Sequence, residues 1–151
     1  MNSSELDTDL SHQAEKILNK GSGWEALTGT TDFGKISSSS DDEACKLAFD
    51  VFVDRIAGYI GSYYVKLHGQ VDALVFAGGI GEKSEKLRKA VVEEVRCLGF
   101  DILGQQPEIK DVVTDITKDT GENGKKVLVV QTDEQLEMAR SYIMDEKLTR
   151  G

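Results

Sequence analysis

The chain has 151 residues, about one domain's worth, and 39% hydrophobic with 30% charged side chains is the balance of a water-soluble globular fold. Its 18 basic and 27 acidic side chains leave a net charge of −9, which disfavours a general nucleic-acid binder because phosphate repulsion would have to be overcome locally. Two histidines argue against a histidine triad or zinc site, and no apolar run approaches the roughly 20 residues that span a bilayer.

Residues 1–10 read as a ragged, acidic lead-in, unlike a signal or transit peptide, and 11–148 as the folded domain. Cys45 and Cys97 have no ligand-like spacing and read as reduced thiols within helices, which points to a cytoplasmic location. Ser11 is placed to cap a short helix whose Ala14, Ile17 and Leu18 share one face, and Gly21-Ser22-Gly23 ends it. Trp24, Leu27 and Ile36 then read as pins that hold a loop to the body of the fold. After Ser37–Ser40, the acidic Asp41-Asp42-Glu43 suits a helix N-terminus. From Asp42 to about His68 the spacing predicts one long helix, with a broad apolar face running from Ala44, Leu47 and Ala48 to Tyr63 and Tyr64. Gly58 and Gly61 fall inside it at a cost of about 1 kcal/mol each relative to Ala, which predicts close packing there.

Leu74 to Ala77 are apolar without alternation, the pattern of a strand buried on both faces. Gly78, Gly79 and Gly81 follow at once, then Ser84 as the cap of a helix carrying Leu87, Val91, Val92 and Val95 to about Leu98, with Gly99 closing it. Strand, glycine loop and helix N-terminus can present N–H groups to a phosphate, or can simply make a tight turn. Residues 100–125 carry no clear period, apart from a turn at 119–124. Lys126–Gln131 predicts a second buried strand, and Thr132-Asp133-Glu134 caps a last helix with Leu136, Ala139, Ile143 and Met144 on its inner face. Two strand-to-helix crossovers predict an α/β fold with at least one parallel strand pair. Two strands are few for a complete sheet, so exposed apolar surface and self-association are expected as well.

Val75-Phe76-Ala77-Gly78-Gly79-Ile80-Gly81-Glu82-Lys83-Ser84 resembles the nucleotide-binding loop of acetate kinases, usually close to F-T-A-G-I-G-E-N-S. Leu18–Trp24 is similar to the family's L-N-x-x-S-G segment, and Leu27–Phe33 to its S/T-G-x-x-D segment. Val71–Val75 is similar to its D-A-I-V-F strand, and Val130–Leu136 to its V-I-P-T-D/N-E-E-L segment. All agree in order, from about Ala14 to Arg140.

The resemblance implies a ribonuclease-H-like α/β domain of the sugar kinase and actin superfamily, as the C-terminal half of a two-domain kinase with an incomplete sheet. It implies reversible phosphoryl transfer between ATP and acetate, giving acetyl phosphate and ADP, with Mg2+ as cofactor and a homodimer as the full-length assembly. Residues 11–148 would be the nucleotide-binding side, and no catalytic residue of the family has a counterpart in this portion. The match carries ATP contact onto Gly79, Ile80, Gly81, Glu82 and Lys83, and onto Asp32, Phe33 and Gly34; it carries magnesium onto Glu134. On the residues alone, Asp32 equally suits an Asx turn, Glu82 a solvent-facing acid and Glu134 a helix N-terminus. Gly34 stands where the family often has Arg, and Lys83 where it has Asn, which puts nucleotide preference in play; the Lys83 stem reaches solvent easily. Two alternatives accompany this reading: a truncated non-catalytic module that binds nucleotide or a partner, and a kinase for propionate or butyrate.

Overall fold

The computed structural model describes residues 12, 13, 15, 17, 18, 21–118 and 124–149, with side chains to 143. The expected lead-in, the Ser11 cap and Ala14 lie outside them. His12, Gln13, Glu15, Ile17 and Leu18 are helical as predicted, but Ile17 and Leu18 of the predicted apolar face are exposed.

Where a pinned loop was expected, two short helices form, α1 (Gly23–Thr28) and α2 (Phe33–Ser38). Gly29 stops α1 at φ 71°, and the Asp32 carboxylate starts α2 by accepting from the N–H groups of Gly34 and Lys35. Trp24 and Ile36 do anchor this region, whereas Leu27 is 48% exposed and anchors nothing. The Phe33 ring joins an aromatic cluster, with ring centroids 5.4 Å from Trp24, 5.6 Å from Phe52 and 6.1 Å from Phe49.

The long helix is α3 (Glu43–Lys66), capped by the Asp42 carboxylate on the Ala44 and Cys45 N–H groups. His68 (φ 54°) and Gly69 (φ 74°) in left-handed conformations turn the chain out of it. Its buried face is narrower than the period suggested: Cys45, Ala48, Phe49 and Val53 are buried, while Leu47, Val51, Tyr59 and Tyr63 are exposed. Gly58 and Gly61 have open space where a Cβ would stand, so close packing does not explain them. Burial pushes the Cys45 thiol up, helped by the nearby Asp42 carboxylate, as suits an inert core thiol; Cys97 is exposed.

Three strands, β1 (Ala73–Ala77), β2 (Val113–Asp115) and β3 (Lys126–Val130), form one mixed sheet in the order β1-β3-β2. The predicted parallel pair is present: Phe76 of β1 lies opposite Val129 of β3, and β2 runs antiparallel on the other edge of β3. Phe76, Val127 and Val129 point into a core shared with Phe49 and Val53 of α3 and with Leu87, Val91 and Val92 of the next long helix. The other face is open. Val75 is 50% exposed and Ala77 is exposed, so β1 is not buried on both faces, because among the described residues no second layer covers it.

Beyond β1 come α4 (Gly78–Lys83), α5 (Glu85–Glu94) and a 3-10 turn (Arg96–Leu98) closed by Gly99 at φ 92°. Ser84 caps α5 through the Leu87 N–H, as predicted. The stretch without a period holds β2 and an isolated antiparallel bridge between Ile102 and Thr117, with Phe100 and Ile116 fully buried. Hydrogen bonds from Thr117, and then from Lys126 at 2.9 Å, hold the Asp115 carboxyl down at about 2. The last helix is α6 (Glu134–Thr149). Its expected inner face is exposed at Leu136, Ala139 and Ile143, and the Met144 side chain lies outside the described residues. Among the described residues no helix is long and apolar enough to cross a membrane.

Candidate functional site

Because β1 and β3 are parallel neighbours, their C-terminal ends lie side by side, and the two segments that leave there are Gly78–Lys83 and Thr132–Glu134. In α/β sheets this edge, beyond the carboxyl ends of the strands, is where ligands collect.

The glycine segment is a helix, α4, rather than the expected loop. Gly78 alone among its glycines has positive φ, 73°, which lets the extended Ala77 pass straight into a helical turn. At Gly79 a side chain would meet open space, and at Gly81 ordinary contact with Phe76. Gly79 is exposed, while Ile80 is half-buried and packs against the core. Lys83 is exposed, in line with a stem that extends to solvent.

Glu82 has a partner far along the chain. Its Oε1 accepts from the Gly78 N–H at 2.9 Å, the Thr132 N–H at 2.9 Å and the Thr132 hydroxyl at 3.0 Å. These bonds, the Thr132 N–H first, hold its carboxyl below the usual range, with Lys83 adding a small pull; partial burial acts the other way. Glu82 thus fastens the turn after β1 to the turn after β3.

Arg88 of α5 lies behind this junction and is 3% exposed, the one buried charged side chain among the described residues. Its Nη1 donates to the carbonyls of Gly81 (2.8 Å) and Glu82 (2.7 Å), and its Nε to Gln106 Oε1 (2.7 Å). The first two are end-of-helix carbonyls that α4 itself cannot satisfy, and a cation there complements the helix dipole. Burial pushes the guanidinium's pKa down while Glu85 opposes the shift, and an arginine starts high enough to stay charged. The sequence reading assigned Arg88 no role. The signal was present: it shares a helical face with Val91, Val92 and Val95, a lone charge on an apolar stripe.

On the β3 side, Asp133 Oδ1 accepts from the Leu136 N–H at 2.9 Å, so Asp133 caps α6 and Glu134 opens it with an exposed side chain. Among the described residues no three His, Cys, Asp or Glu side chains converge. A single carboxylate is nonetheless the donor set expected of magnesium shared with phosphates, since that ion keeps several waters.

Asp32 caps α2 and Phe33 and Gly34 open it, and α2 packs against α3. Glu82 ties the Gly79–Lys83 segment to Thr132, two residues before Glu134, whereas the Asp32 carboxylate is occupied by its own helix and the Phe33 ring by the core. Asp32→Ala is expected to cost about 1 kcal/mol of unfolding free energy in urea, and Asp32→Asn only a few tenths. Equal losses would show that the charge, rather than the cap, matters.

The Acetokinase family pattern matches residues 5–140. A probable acetate kinase from Emericella nidulans is 57% identical over 131 residues, covering 83% of this chain and 31% of that protein. One from Neurospora crassa is 51% identical over 167 residues, covering 91% and 36%. Among solved structures, acetate kinase from Porphyromonas gingivalis matches with TM-score 0.71 at 25% identity, over 95% of this chain and 38% of its own. A propionate kinase from Francisella tularensis matches with TM-score 0.70 at 30% identity, over 88% and 34%. The chain therefore spans about a third of the length of the relatives it matches. With the family pattern over most of its length and this identity to its relatives, the chain belongs to the acetokinase family.

Proposed function

We propose that this chain carries the nucleotide side of an acetate kinase, which transfers a phosphoryl group reversibly between ATP and acetate to give acetyl phosphate and ADP. The observation that carries the reading is the meeting of Gly78–Lys83 and Thr132–Glu134 at the C-terminal ends of parallel β1 and β3. Gly79, Ile80, Gly81 and Lys83 would line the nucleotide, with Asp32, Phe33 and Gly34 bordering it at the start of α2. Glu134 would hold Mg2+ through water, and the ion's part is to neutralise phosphate charge. The three-stranded mixed sheet would be part of a ribonuclease-H-like domain, in the C-terminal half of a cytoplasmic, homodimeric enzyme.

Differential scanning fluorimetry tests this. Millimolar MgADP or MgATP is expected to raise Tm by a few degrees, since a ligand at 100 times its Kd stabilises by about 2.7 kcal/mol. A folded sample whose Tm does not move would overturn the site.

A second reading takes these residues as a module that acts by itself. As a non-catalytic module it would bind nucleotide and transfer nothing, and a hydroxamate assay for acetyl phosphate separates the two. The acyl acceptor is left as a short carboxylic acid, since the propionate kinase and the acetate kinase match this fold equally well, at 0.70 and 0.71.

A further inference from the structure

We propose that Glu82 is a positioning residue that clamps the Thr132–Glu134 turn onto the nucleotide segment and so sets where Glu134 stands relative to bound nucleotide. The inference rests on the nucleotide reading above. It differs from the expectation that Glu82 itself contacts ATP.

Three donors converge on one oxygen, Glu82 Oε1, from positions four residues back and fifty residues on. An sp² oxygen has two lone pairs, so three donors leave that atom no capacity for a ligand. The Thr132 turn needs such a tie. Residues 134–141 at the start of α6 are all exposed, so burial of these side chains does not orient the first turns of the helix. Asp133 is spent on capping α6, and Gln131 ties the strand end to Ile109 and Val112 instead. Thr132 lies two residues before Glu134, so a restraint on Thr132 is passed on within one turn of backbone. On the other side the same carboxylate spans α4, from Gly78 to Glu82, and Arg88 fixes the Gly81 and Glu82 carbonyls from behind. Glu82 is therefore held rigidly enough to act as a strut.

The test uses the whole 151-residue chain and two readouts: hydrogen exchange at the Thr132 and Gly78 amides by NMR, and ADP affinity by calorimetry with and without Mg2+. Glu82→Gln keeps an acceptor oxygen at the same reach. It should leave Thr132 protection and the Mg2+-dependent gain in ADP affinity within about threefold of the parent, the loss expected for a modestly weakened hydrogen bond. Glu82→Ala removes the strut and should cut both by about tenfold or more while circular dichroism stays native. Thr132→Val removes only the hydroxyl and should cost about threefold, and it carries the test if Glu82→Ala does not fold.

Unchanged Thr132 protection in Glu82→Ala, or an unchanged Mg2+ gain in Thr132→Val, overturns the strut. If Glu82→Gln abolishes the Mg2+ gain while Thr132 stays protected, the carboxylate is a direct ligand contact and the proposal is wrong. A parent chain that binds no ADP overturns the nucleotide reading and the positioning role with it. Loss of Thr132 protection in Glu82→Ala would then identify a purely structural tie.

Discussion

Replacing Arg88 with Ala is expected to lower the unfolding free energy by about 3–5 kcal/mol, through the buried acceptors it leaves without a donor. The substitution strands three acceptors at once: the Gly81 and Glu82 carbonyls and Gln106 Oε1. Each buried acceptor left without a donor costs about 1–3 kcal/mol, and relaxation with entering water recovers part of the sum. Arg88→Lys should restore little, because an ammonium on a flexible stem cannot reproduce a planar fork that serves two helix-end carbonyls and a side-chain amide. The measurement is the urea midpoint at constant m. A loss below about 1 kcal/mol for Arg88→Ala would mean that water replaces the guanidinium freely and the residue is not structural. Consequences should extend beyond stability. Arg88 holds the end of α4 from which Glu82 reaches Thr132, so Arg88→Lys should also weaken any MgADP-induced rise in Tm.

Phe100→Ala should be about as costly, at roughly 3–5 kcal/mol, through a cavity in the core. Phe100 is 1% exposed and among the largest fully buried side chains, in one core with Ile116, Val127 and Val129. Lys125 Nζ lies 5.6 Å from its ring centroid and 4.0 Å from that of Tyr64, so the ring also braces the approach to β3. Phe100→Leu retains most of the volume and should cost about 1 kcal/mol. A small effect of Phe100→Ala alongside a large one of Phe100→Leu would contradict the cavity argument, since only shape misfit could give that order.

Phe100 also shows where local pattern stops being informative. It sits in a stretch with neither helical nor alternating period, whose regular structure is only the three-residue β2 and a single bridge between Ile102 and Thr117. Elements of that length contain too few side chains to display a period. The long helix failed in the opposite direction. Its period was clear and the helix is there, but Leu47, Val51, Tyr59 and Tyr63 are exposed, because no second layer among the described residues covers that side of it. Periodicity reports which side chains could be covered, and coverage depends on what else is present. The same holds for Val75 on the open sheet face and for Leu136 and Ile143 on α6.

By itself the sequence determined the local units: the Ser84 cap and its helix, the long helix behind the acidic Asp41–Glu43, the Gly99 stop and the two apolar strands. These follow from hydrogen bonds and steric limits within a few residues, which any chain with those side chains must obey. It also carried the family resemblance, since that lies in the order of short segments. Only the tertiary structure decided that the glycine segment is a short helix, and that Arg88 is buried behind it. It alone showed that Glu82 faces Thr132 instead of solvent. The last of these depends on β1 and β3 becoming parallel neighbours, which brings together residues 50 positions apart. No local rule encodes such a meeting, because a carboxylate's partner is chosen by what the fold places within about 3 Å of it.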